Sequence, residues 1–219
     1  MRTRTIRVLL AALTAIYALA FAAPARAQEV VDRIAARIES DVILLSEVRE
    51  LGRYQLFLDG KSETEDKLLD RLIDQWIVRS EAEASHFPQP SDEDINRGVE
   101  RVQKSFVSSQ EFESRKKECG LGDAEVRHMV AAQLYLSNYL DSRFRPSVQV
   151  DAKAIEDFYQ HALVPKAKER GQAPPSLDEA RDLIEEALVQ NGITEQADRW
   201  LKESRGRLHI EKLLAAGQK

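Results

Sequence analysis

Residues 68–77 read Leu68-Leu69-Asp70-Arg71-Leu72-Ile73-Asp74-Gln75-Trp76-Ile77, and their spacing decides the fold class. The six large apolar residues recur at i, i+1, i+4, i+5, i+8 and i+9, which gathers them on one wide face of a helix. The pattern predicts a helix over about 64–86, with Pro88 and Pro90 as its stop. Toward the C-terminus, Ser91 reads as the cap of a next helix whose stripe is Ile95, Val99, Val102 and Phe106. A short helix over 109–119 ends at Gly120, a left-handed cap. Gly122 or Asp123 opens a long helix to about Phe144, with Val126, Val130, Leu134, Leu140 and Phe144 on or near one face.

Beyond Pro146 the signals are more broken. Asp151 caps a helix that fades near His161, with Val150 and Ile155 placed as a hydrophobic staple. Residues 162–175 carry Pro165, Gly171, Pro174 and Pro175 and read as the least structured stretch. Ser176-Leu177-Asp178-Glu179 is a capping box that opens a helix to Gln190, closed by Asn191-Gly192. Thr194 caps a further helix to about Ser204. After Gly206 the period becomes two, with Leu208 and Ile210 alternating against Arg207, His209 and Glu211, which predicts a short strand.

Toward the N-terminus, residues 30–45 predict a β-hairpin. The run Val31-Asp32-Arg33-Ile34-Ala35-Ala36-Arg37-Ile38 and the run Val42-Ile43-Leu44-Leu45 flank the turn residues Glu39-Ser40-Asp41. Ser46 reads as the cap of a helix to about Leu58, with Glu47 in its first turn and Asp59-Gly60-Lys61 as its end. The hairpin is the candidate partner for the strand after Gly206, so first and last elements are expected to pair. The fold class is mainly α, with a small β-hairpin joined by a C-terminal strand.

Composition agrees. The 219 residues hold 37 acidic and 32 basic side chains, with 43% apolar, 32% charged and only 6% aromatic residues. That balance suits long amphipathic helices better than a sandwich or barrel. The acidic net charge argues against nucleic acid as a partner, because phosphate binding needs clustered Lys and Arg. One cysteine, Cys119, excludes an intrachain disulfide framework and a Cys-rich metal site.

Residues 1–27 read as a secretory signal. Arg2, Arg4 and Arg7 precede an apolar run from Val8 to Ala23, and Ala25-Arg26-Ala27 offers a cleavage site. The 16-residue run is short for a membrane span of about 20. Cleavage before Gln28 would remove four arginines and leave 28 basic against 37 acidic side chains, a net of −9. The mature chain is then expected in the periplasm, with no stable membrane insertion.

Motifs of chemistry are missing. His86, His128, His161 and His209 show no metal-ligand spacing, and there is no G-x-S-x-G, Walker loop or G-x-G-x-x-G. Ser114-Arg115-Lys116-Lys117 matches S-x-x-K but reads as the solvated face of a charged helix. Asp92-Glu93-Asp94 follows Ser91 and suits a first helical turn. The chain is therefore read as no enzyme, with no cofactor and no metal. What remains is a surplus of large side chains: Tyr54, Phe57, Trp76, Phe87, Phe106, Met129, Tyr135, Tyr139 and Phe158. They either complete the core or line a groove for extended polypeptide. Trp76, Phe106, Met129, Tyr135 and Tyr139 are the peptide-binding candidates.

The order of segments resembles the SurA N-terminal chaperone family, which is related to the parvulin-type prolyl isomerases. The resemblance rests on the hairpin and its cap (residues 31–48), on residues 68–75 and on Ser91-Asp92-Glu93-Asp94-Ile95. It continues through Val150-Asp151 with Ile155-Glu156-Asp157-Phe158-Tyr159, and through residues 197–211. Residues 28–161 would form the helical module. Residues 162–175 would stand where family members carry parvulin domains, and residues 176–214 would complete the module. Fourteen residues cannot hold an isomerase, so no catalytic residue is carried over.

The resemblance implies an ATP-independent holdase for unfolded polypeptide clients, outer-membrane proteins above all. A periplasmic scaffold for one folded partner is the alternative, and a prolyl isomerase stands third. Homodimerisation by exchange of C-terminal segments is left open.

Overall fold

The first two strands, β1 (Ile34–Ile38) and β2 (Asp41–Leu44), form the expected antiparallel hairpin, with Ile38 opposite Asp41. The computed structural model describes residues 32–214; the secretory signal read in residues 1–27 lies outside them. The strand β3 (Ile210–Lys212) lies antiparallel on the other side of β1, giving the sheet order β2-β1-β3. First and last elements do pair. Glu39 turns the hairpin at φ 52°, a left-handed backbone that costs a non-glycine residue roughly 1–2 kcal/mol. Two hydrogen bonds to His209 offset that cost: the Glu39 N–H donates to its carbonyl at 3.1 Å, and Glu39 Oε1 accepts from its N–H at 2.7 Å.

Five helices build the main body: α1 (Leu45–Asp59), α2 (Glu65–Ala84), α3 (Asp92–Lys104), α4 (Ser109–Glu118) and α5 (Asp123–Phe144). Most of the ends follow local signals. The Ser91 hydroxyl accepts from the Asp94 N–H at 3.1 Å, and Gly60 and Gly120 close α1 and α4 with positive φ. The cap of α1 corrects the reading of Ser46. Leu44 is the N-cap, and the Glu47 carboxylate accepts its backbone N–H at 2.7 Å, so Ser46 lies inside the first turn. A strand running straight into a helix leaves no room for a separate polar cap; besides Glu47, the Arg33 carbonyl of the hairpin accepts the Leu45 N–H at 2.7 Å.

The C-terminal third differs from its sequence reading twice. After α6 (Ala152–Phe158) the chain widens into one π turn, Tyr159–Leu163, and continues as α7 (Val164–Glu169). Part of the supposed linker over 162–175 is thus helical. Pro165 has no N–H to give, and the π turn, in which the Val164 N–H reaches the Tyr159 carbonyl, carries the helix past it.

The second difference is α8 (Leu177–Arg205), one helix of 29 residues in place of two. Gly192 is a contact residue there: a β-carbon on it would lie 2.7 Å from Val148 Cγ1. Thr194 caps nothing; its hydroxyl donates back to the Gln190 carbonyl at 2.9 Å.

The core is laid down in four adjoining clusters. Ala36, Ile38 and Ile43 of the sheet pack with Val48 of α1 and with Leu68, Leu69, Ile73 and Ile77 of α2. Phe57 anchors the second cluster with Phe112, Cys119, Val126 and Val130. Val78 and Ala82 meet Tyr135 and Tyr139 in the third, and Ile155 packs on Ala180 and Ile184 in the fourth. Trp200 and Leu201 of α8 touch both the first and the third. Arg205, one turn on, ties α8 to α2 through Asp74 at 2.6 Å and Asp70 at 3.0 Å, and Lys212 of β3 adds a bond to Asp70 at 2.7 Å.

Candidate functional site

Three helices turn stripes of the same spacing toward one another. From α1 come Glu47, Glu50, Leu51 and Tyr54; from α2, Leu72, Gln75 and Arg79; from α5, His128, Met129, Ala132, Gln133 and Leu136. Within each helix these positions recur one, three or four residues apart, so they share a face. They enclose an open cleft of about 140 Å³. Leu51 and Tyr54 are buried at its base, Leu72, Met129 and Leu136 are half-buried in its walls, and the polar residues form the rim. Ala132 lies between Met129 and Leu136 and contributes only a methyl group, which leaves the space open.

Tyr54 is the unusual member. Its side chain is 3% exposed, and among the described residues its hydroxyl is buried without a hydrogen-bond partner. Burial pushes its pKa up to about 12, so the group stays neutral. The cleft therefore offers an apolar base and amide, carboxylate, imidazole and guanidinium groups around the mouth. That chemistry takes up one apolar side chain while Gln75 and Gln133 can pair with the peptide groups on either side of it.

The five peptide-binding candidates do not converge. Met129 lines the cleft. Trp76 is half-buried on an adjoining face of α2, where its Nε1 donates to Asp41 at 3.0 Å. Phe106 stacks on Phe57 at 5.0 Å and meets Phe112 edge-on at 5.4 Å, with the Arg115 guanidinium 5.2 Å from its ring centre. Tyr135 and Tyr139 are each 5% exposed and pack on Phe87 at 6.0 and 5.5 Å. Size singles out the aromatics, whereas the cleft is built by spacing. The matched intervals in α1, α2 and α5 were the signal that could have found Leu72, His128 and Leu136.

Two other side chains singled out in the sequence also find their places. Cys119 is buried between α4 and α5, and that burial raises its thiol pKa, which makes it a poor nucleophile. The helix around Ser114 is not uniformly solvated. Lys116 is buried over the Phe112 ring and pairs with Glu113 at 2.8 Å and with Asp123. Among the described residues no three His, Cys, Asp or Glu side chains gather to hold a metal, and no helix is long and apolar enough to cross a membrane.

No protein-family model matches the chain, and no curated protein matches it at a significant level.

Proposed function

We propose that this protein is an ATP-independent holdase that takes apolar side chains of unfolded polypeptides into the cleft between α1, α2 and α5. The observation that carries the reading is the open cleft itself, with Leu51 and Tyr54 at its base and the charged and amide side chains around its mouth. Its volume is close to that of a cavity of about 150 Å³ that accepts benzene in another protein, so it fits one side chain at a time. Burying one large apolar side chain is worth roughly 1.5–3 kcal/mol, which alone gives only millimolar or weaker binding. Holding then comes from many such contacts on a long client, each exchanging quickly. A client whose apolar segments are intermittently covered aggregates more slowly.

The acid-rich composition supports the same reading, because like charge keeps protein–client complexes apart in solution. The order of sequence segments that resembles the SurA N-terminal family points to clients from the outer membrane. Export belongs to the proposal too, and N-terminal sequencing of secreted protein should begin at Gln28. The test of holding mixes residues 28–219, at rising ratio, with an outer-membrane barrel diluted from denaturant, and follows light scattering. Suppression near stoichiometric ratio is expected. Suppression no greater than that by a folded acidic control protein would overturn the reading.

A further inference from the structure

Beside the cleft, α2, α5 and α8 enclose a second, shallower pocket of about 330 Å³ that contains both Trp76 and Trp200. Arg143 and Arg207 also line it. The Arg143 guanidinium lies 4.9 Å from the Trp200 ring centre and donates to the Tyr139 hydroxyl at 2.9 Å. Its nearest carboxylate, Glu81, is 3.9 Å away. Arg207 reaches only the Ser204 hydroxyl, at 3.4 Å, among the described residues. Asp41 accepts the Trp76 N–H at 3.0 Å. Two arginines thus line the pocket against one lining carboxylate, on a chain whose composition is acidic.

We infer that this pocket binds the C-terminal carboxylate of a polypeptide whose last side chain is apolar. The carboxylate faces Arg143 and Arg207, and the last side chain lies against the two indole rings. Guanidinium is the cation best shaped to grip a carboxylate, and indole offers a broad apolar face beside it. Glu81 sets the charge limit: it tolerates a singly charged carboxylate, repels a phosphate, and can accept an N–H from the peptide group before the last residue. Ser80 and Ser204 line the same mouth and suit a peptide better than an alkyl tail. The inference deepens the holding function and rests on it for the source of the chain end.

The two tryptophans in the pocket are the only two in the sequence, so intrinsic fluorescence reports on it directly. The experiment titrates residues 28–219 with an N-acetylated peptide ending in Phe, once as the free acid and once as the amide. The free acid should change the fluorescence and bind at least about tenfold more tightly, the discrimination expected of a charge-assisted hydrogen bond. Arg143→Gln and Arg207→Gln should each erase the difference while leaving the helical circular dichroism intact.

Equal binding of acid and amide, or no fluorescence change with either, would overturn the inference. Octanoate binding as tightly as the peptide acid would also overturn it, by making the site one for a fatty anion. Aggregation suppression is read separately. Clients held without acid–amide discrimination would remove this pocket alone. Discrimination without holding would keep the pocket and remove the holding function.

Discussion

A β-carbon built on Gly98 would lie 2.6 Å from Val130 Cγ1, and this close approach seats α3 against α5. Val130 is β-branched and sits mid-helix, so its methyl cannot swing aside. Gly98→Ala should gain about 1 kcal/mol of helix propensity and lose about 1–3 kcal/mol to overpacking. The expected outcome in urea denaturation is a net loss of up to about 2 kcal/mol. A more stable variant would mean that the two helices can separate at little cost.

Tyr54→Phe should be neutral or stabilising. The hydroxyl is buried without a partner among the described residues, and such a group costs about 1–3 kcal/mol. Removing it leaves the ring in place 6.1 Å from Phe57. A higher urea midpoint is the expected result; a clear drop would show that the hydroxyl is satisfied in solution.

Arg145 clamps α5 to α8, with Asp141 on one side at 2.8 Å and Glu186 on the other at 2.7 Å. Hydrogen bonds from Arg145 and then Gln190 hold the Glu186 carboxyl well below its usual range, at about 2. A carboxyl depressed in the folded state stabilises above its unfolded pKa of about 4.3, and that stabilisation fades as pH falls toward 2. Glu186→Gln should therefore be less stable than the parent at pH 7. The gap should narrow between pH 4.5 and pH 2 in thermal melts. Because the site is solvent-exposed, the gap will be modest, and a gap constant with pH would contradict the clamp.

Arg205→Ala should loosen the return of the chain onto its own start. Burial alone would raise the Asp70 carboxyl, yet hydrogen bonds from Lys212 and Arg205 hold it below its usual range. Losing Arg205 leaves Asp70 with Lys212 alone and takes from Asp74 its 2.6 Å bond. The carboxylates are partly exposed, so a cost of about 1–3 kcal/mol is expected. Faster amide exchange should accompany it in β3, at Arg37, which pairs with Glu211, and at Glu39, whose N–H donates to the His209 carbonyl. Unchanged exchange there would show that the strand docks without the tether.

The legible parts of this fold are those that local chemistry fixes. Ser91, Asp151 and Ser176 each cap the helix that follows, because each side chain satisfies an N–H three residues on. Alternation at Leu208 and Ile210 announced a strand, and the hairpin was its available partner. Long-range packing decided the rest. Asn191-Gly192 looks like a helix end until Val148 is seen to fill the space beside Gly192. Pro165 looks like a break until a π turn absorbs it.

The cleft was less legible, for a related reason. Met129 and Tyr135 both lie on α5 and are both large, and nothing local tells which is covered. Phe87, arriving from the loop after α2, covers Tyr135, whereas Met129 stays half-buried in the cleft wall.

Holding requires that unfolded chains enter the cleft between α1, α2 and α5. Its most direct test places a photo-crosslinking phenylalanine at Gln133, on the rim, and, in a second protein, at Asp178, which is exposed at the start of α8. Each is irradiated with a denaturant-diluted outer-membrane barrel. The expected result is a client crosslink from position 133 that unlabelled client competes away, with little from position 178. Equal yields from the two positions, or none from 133, would contradict the claim.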